Sequence, residues 1–89
     1  MHEPIELAIE TADGIVDCRL EPVENNGIII WSATILYPHN INGRLQSRVY
    51  EHNLNLNPQT GLYYFADEAS VHPKVLLLGK QLSDAICIA

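Results

Sequence analysis

The chain has 89 residues, 47% of them hydrophobic and 18% charged, with a formal net charge of −6. That length holds one domain with one core, and the hydrophobic share excludes a disordered acidic tail. No apolar run approaches the roughly 18 residues needed to span a bilayer.

Met1-His2-Glu3-Pro4 has neither the basic start nor the unbroken apolar segment of a secretory leader, so a cytoplasmic domain with no membrane partner is expected. The acidity is local. Residues 1–24 hold seven acids and one base, whereas the remaining residues balance at four of each. A field of that sign repels phosphate backbones and favours basic partners, and it also protects an edge strand from pairing.

The first two predicted strands, over 4–10 and 15–21, alternate cleanly. Ile5, Leu7 and Ile9 interleave with Glu6, Ala8 and Glu10, and Val16, Cys18 and Leu20 with Asp17, Arg19 and Glu21. Each has one buried and one wet face. Thr11-Ala12-Asp13-Gly14 joins them, and Glu24-Asn25-Asn26-Gly27 leads into the third strand, predicted over 28–37. Both segments have the chemistry of tight hairpin turns. The third strand reads differently. Ile29, Trp31, Ala33, Ile35 and Tyr37 form an apolar face, and the opposite face carries Ile28, Ile30 and Leu36 around Ser32 and Thr34. A strand apolar on both sides belongs in the middle of a sheet.

After His39-Asn40-Ile41-Asn42-Gly43, a fourth strand is predicted over 44–52, with Leu45, Ser47 and Val49 alternating against Arg44, Gln46, Arg48, Tyr50 and His52. Asn57-Pro58-Gln59-Thr60-Gly61 turns the chain into a short aromatic strand over 62–66. From Ser70 the period changes to that of a helix. Pro73 suits the first helical position with Ser70 or His72 as cap. Val75, Leu78, Leu82, Ala85, Ile86 and Ala89 then make an apolar stripe on a helix predicted over 73–87. Leu76 and Leu77 widen that stripe, and Gly79 weakens the helix unless close packing requires it.

The expected fold is therefore α+β: a five-stranded antiparallel, meander-like sheet followed by one C-terminal helix packed on one face. One helix covers one face only. Ile28, Ile30 and Leu36 on the other face, with Leu76 and Leu77 on the helix, lead us to expect a homodimer whose contacts use these residues.

Cys18 and Cys87 lack metal or redox spacing and sit among apolar neighbours, so reduced thiols are expected. His2, His39, His52 and His72 show no ligand spacing, which argues for surface histidines and no metal. No nucleophile motif and no phosphate-cradling glycine loop occurs, so no cofactor is expected and an enzyme is disfavoured. Asp67 and Glu68 are placed to favour the start of the helix.

Arg44, Gln46, Arg48, Tyr50 and His52 form the candidate interaction face. Basic and aromatic residues at period two on an open sheet could bind single-stranded nucleic acid. Internal pairing of Arg44 and Arg48 with Asp17 or Glu21, across Ser32 and Thr34, is the stronger expectation for so acidic a chain. Three functions follow in order: a small acidic protein-interaction or regulatory domain, dimeric and suited to a basic protein partner; a single-stranded nucleic-acid binder; and an enzyme or ligand-binding domain with its site in a dimer groove.

Overall fold

Strands β1 (Ile5–Thr11), β2 (Gly14–Asn25), β3 (Ile28–Ile41) and β4 (Arg44–Leu56) are joined by two-residue turns, and a longer loop leads to β5 (Tyr63–Phe65). A 3-10 turn at Glu68–Ser70 precedes helical segments α1 (Pro73–Leu76) and α2 (Gly79–Ile88). These elements come from a computed structural model that describes residues 3–88; His2 and Ala89 lie outside them. Asn26 and Gly27 have φ of 53° and 79°, and Asn42 and Gly43 have 52° and 79°. Two successive positive φ angles match the right-handed twist of the flanking strands, and Asn-Gly reaches them at least cost. The sheet follows as an antiparallel meander in the order β1-β2-β3-β4-β5.

The three middle strands run longer than the sequence pattern predicts. β3 has 14 residues, and at about 3.3 Å per residue it accounts for the 46 Å long axis. Asn40–Leu45 and Ile41–Arg44 pair at the tip of the β3–β4 hairpin, beyond the last buried residues of β3, Tyr37 and Pro38. The hairpin is an arm.

Register fixes which residues share a face. One set of cross-strand rows runs Leu7–Cys18–Ile35–Tyr50 and Ile5–Leu20–Ala33–His52, with Trp31–Leu54–Phe65 beside them. Val75, Leu78, Leu82 and Ile86 pack on these rows, and Trp31 is 2% exposed beneath them, as its apolar strand face predicts. Burial of this kind is worth about 1.5–3 kcal/mol for each large side chain.

His72 caps α1, its Nδ1 accepting the Lys74 backbone N–H at 3.1 Å. The helix is bent where one continuous helix over 73–87 is predicted. The Leu78 N–H donates to Val75 O at 3.0 Å, one residue short of the α-helical partner, and tightens the chain before α2 begins. The bend turns Leu78 inward and leaves Leu77 outward at 79% exposure. Gly79 then lies against the Phe65 ring, where an added Cβ would stand 3.5 Å from Cε2, an ordinary contact. Among the described residues, Ser83 is the buried polar residue of the core, and its Oγ accepts the Tyr63 N–H at 2.9 Å, tying α2 to the shortest strand.

Candidate functional site

The face turned away from the helix is built from the alternate residues of every strand. Its rows run Glu6–Arg19–Thr34–Glu51 across four strands, then Ala8–Asp17–Leu36–Val49 on one side and Glu21–Ser32–Asn53 on the other. Beyond these rows the face becomes apolar at both ends. Ile15, Leu36 and Val49, with Leu45 further out, are exposed at the hairpin end; Val23 and Ile28 are exposed at the other. Arg19 is held on this face by Glu6 and by Glu21, whose Oε1 lies 2.6 Å from Arg19 Nε. These hydrogen bonds push the Arg19 pKa further up. Glu6, Glu10, Asp17, Glu21 and Glu51 thus face solvent against Arg19 as the base of these rows. An open groove of about 500 Å³ lies here, lined by Glu6, Ala8, Asp17, Arg19, Thr34 and Leu36.

This arrangement corrects one expectation. Asp17 and Glu21 share rows with Leu36 and Ser32, whereas Arg48 shares its row with Tyr37, so Arg44 and Arg48 point to the opposite side of the sheet. They cannot pair with Asp17 or Glu21. Nor do Arg44, Gln46, Arg48, Tyr50 and His52 lie on the uncovered face: they continue the helix-side face. Polar alternation on β4 misleads because the arm outruns the helix, so its helix-side residues are solvated and its apolar Leu45 and Val49 point the other way.

The five residues split further. Arg44, Gln46 and Arg48 are exposed on the arm, while Tyr50 and His52 are half-buried beside the helix. The proposed dimer contacts also divide between two surfaces, with Ile28, Ile30 and Leu36 on the open face and Leu76 and Leu77 on the helical segment. Leu76 packs against the core, so a single flat interface cannot use all five.

At the root of the arm, residues distant in sequence converge. Tyr37 donates its hydroxyl to Asp13 Oδ2 at 2.7 Å, and Lys74 Nζ lies 3.1 Å from the same oxygen. Both contacts hold the Asp13 carboxyl below its ordinary value of 3.8, and burial pushes the Tyr37 hydroxyl up. His39 Nε2 lies 2.8 Å from the Tyr50 hydroxyl, and its ring stands 5.1 Å from that of His72. Burial lowers the His39 pKa from 6.5, and His72, Arg48 and Lys74 lower it further. Sequence spacing had made these two histidines isolated surface residues. Only the strand register and the return of the chain into α1 bring them together.

A third locus lies where β4 passes beyond β5. A cavity of about 420 Å³ is lined by Ser32, Glu51, His52, Asn53, Ala66 and Asp67. His52 Nδ1 is 3.0 Å from Asp67 Oδ2, so Asp67 serves a strand histidine rather than the helix start predicted for it. An imidazole held this way could move a proton. Ser32, however, shares a row with Asn53, and His52 with Ala33, so hydroxyl and imidazole lie on opposite faces and form no relay.

Among the described residues, no group of three or more His, Cys, Asp or Glu side chains is arranged to hold a metal, and no helix is long and apolar enough to cross a membrane. Cys18 is buried and Cys87 exposed, both as free thiols, and burial pushes the Cys18 pKa up to about 11. Comparison with protein families, curated proteins and solved structures finds no match to this chain.

Proposed function

We propose that the protein is a small acidic interaction module that holds a basic partner protein on the uncovered face of its sheet. One observation carries this reading: the face opposite the helix combines solvent-exposed apolar ends with a central acidic band. Apolar ends supply the area that drives association. The band of Glu6, Asp17, Glu21 and Glu51, with Arg19 already engaged, supplies charge complementarity to cationic side chains. Two free cysteines, one of them exposed, suit a reducing cytoplasmic setting.

Of the homodimer contacts expected from the sequence, Ile28, Ile30 and Leu36 lie on the same face. A twofold pair aligned along its full length sets acidic band against acidic band, which costs stability through like-charge repulsion. A pair crossing only at the Ile15, Leu36 and Val49 end avoids this. A basic partner satisfies the whole face and is the reading we adopt.

The test uses a peptide alternating Lys with Leu as a cationic, amphipathic probe. Calorimetry should show binding that weakens as salt rises and is lost when Glu21 and Glu51 are both replaced by Lys. Sedimentation of the protein alone should give a monomer. A dimer dissociated by Leu36→Glu, with no affinity for the peptide, would move the function to self-association.

A further inference from the structure

We propose that His39, Arg48, Tyr50 and His72, at the root of the β3–β4 arm, form a binding site for a phosphate group, separate from the acidic face and on the other side of the sheet. The first support is charge segregation. Of the five lysines and arginines in the chain, Arg19 is engaged on the open face, while Arg44, Arg48 and Lys74 lie toward the arm on the helix side. Arg44 and Arg48 make no ion pair among the described residues, although the chain carries eleven acids. Asp13, the carboxylate that Tyr37 on the row of Arg48 reaches, is already engaged by the Tyr37 hydroxyl and the Lys74 ammonium.

The second support is the donor set. Register places Arg48 directly opposite Tyr37, which sets it diagonal to His39 and two residues from Tyr50 on one face. From the other side, the loop before α1 brings in the His72 ring, 5.1 Å from His39 and 5.8 Å from Tyr50. His72 Nδ1 accepts the Lys74 N–H, which leaves the proton of the neutral ring on Nε2 as a donor. The guanidinium, that imidazole N–H and the coupled Tyr50–His39 pair come from three segments, and the His72 ring is inclined 61° to His39 and 54° to Tyr50. A carboxylate is planar and is satisfied by one guanidinium fork; donors arriving from several directions fit a tetrahedral oxyanion. The rings are already fixed by edge and tilted contacts among Tyr37, His39, Tyr50 and His72, so little ordering remains to be done on binding.

Protons should accompany the ligand. The groups facing His39 are Asp13 from the β1–β2 turn, Tyr37 on its own strand, Arg48 and Tyr50 from β4, and His72 and Lys74 from the α1 segment. Burial and the surrounding cations lower the His39 pKa, and a bound dianion opposes those cations. Phosphate binding should therefore raise the apparent His39 pKa.

The experiment follows the His39 and His72 ring resonances by NMR during titration with inorganic phosphate. It is repeated with a single-stranded oligothymidylate, since a small phosphorylated molecule or a nucleic-acid strand could carry the group. Saturable shifts at both rings, weakened about tenfold or more in Arg48→Gln and unchanged in Lys80→Gln, support the site. Both substitutions fall on exposed side chains, and Trp31 emission checks that each variant is folded. If the oligonucleotide binds more tightly, with a log-salt slope of ~0.7 per phosphate contact, the carrier is a strand. If inorganic phosphate alone binds, it is a small molecule. No saturable shift with either probe, or equal shifts in Arg48→Gln, overturns the proposal.

Discussion

Replacing Ser83 by Ala removes one oxygen from the core and exposes how β5 is held. Ser83 is 3% exposed, and its Oγ accepts the Tyr63 N–H at 2.9 Å. Without it, that amide keeps its desolvation and loses its acceptor, which costs about 1–3 kcal/mol. Two effects oppose the loss. Ala is the better helix former by up to ~0.5 kcal/mol, and Tyr63 is only half-buried, so water can partly replace the hydroxyl. The net destabilisation is therefore about 1–2 kcal/mol. A chain of 89 residues has a total stability of roughly 5–13 kcal/mol, so the change is measurable without abolishing the fold. With a urea slope of about 1 kcal/mol per molar, the midpoint should fall by ~1–2 M at unchanged slope. Hydrogen exchange gives the local readout: the Tyr63 amide should lose protection. Asp84→Ala, one residue away and exposed, should change stability by no more than ~0.5 kcal/mol. An unshifted midpoint with Tyr63 still protected would refute the claim that this bond joins α2 to the sheet.

Three further outcomes are expected. His39 and Asp13 both titrate below their ordinary values of 6.5 and 3.8, so each contributes stability that is present above that value and lost as pH falls through the folded one. Thermal melting should decline in acid starting just below pH 6.5, and His39→Gln should flatten that first stage. Of the two thiols, Cys87 should react promptly with a disulfide reagent at neutral pH, while Cys18, buried and shifted to about 11, should react only on unfolding. Asn42→Ala should cost about 1–2 kcal/mol in urea unfolding because φ there is 52°, whereas Asn42→Gly should be near neutral.

Turn chemistry and strand parity carried most of the fold. Asn-Gly at 26–27 and 42–43 specifies hairpins whichever strands flank it, and Trp31 sits on the one face of β3 that is apolar throughout, so meander and core were legible. Pro73 with His72 before it marked the helix start, and the His72 cap is present. What parity could not supply is how far the helix reaches. On β4, apolar Leu45 and Val49 look like a buried face, but no helix extends over the arm and they point to the uncovered side. That single missing length reversed the placement of Arg44 and Arg48. The helix bend was hidden because Leu76, Leu77 and Leu78 are equally apolar, and only the 3-10 bond to Val75 decides which of them turns outward. Partnerships such as His52 with Asp67, or His39 with His72, arise from tertiary return of the chain and leave no local spacing to read.

The proposed docking face is tested most directly by methyl-resolved NMR during titration with the Lys–Leu peptide. Ile15, Leu36 and Val49 report on the uncovered face, and Leu54, Leu82 and Val75 on the buried helix side. The account predicts that the first group shifts, that the shifts shrink as salt rises past the ~8 Å screening length of physiological ionic strength, and that Leu54, Leu82 and Val75 stay in place. Shifts confined to the helix side, or none at low salt, would contradict it.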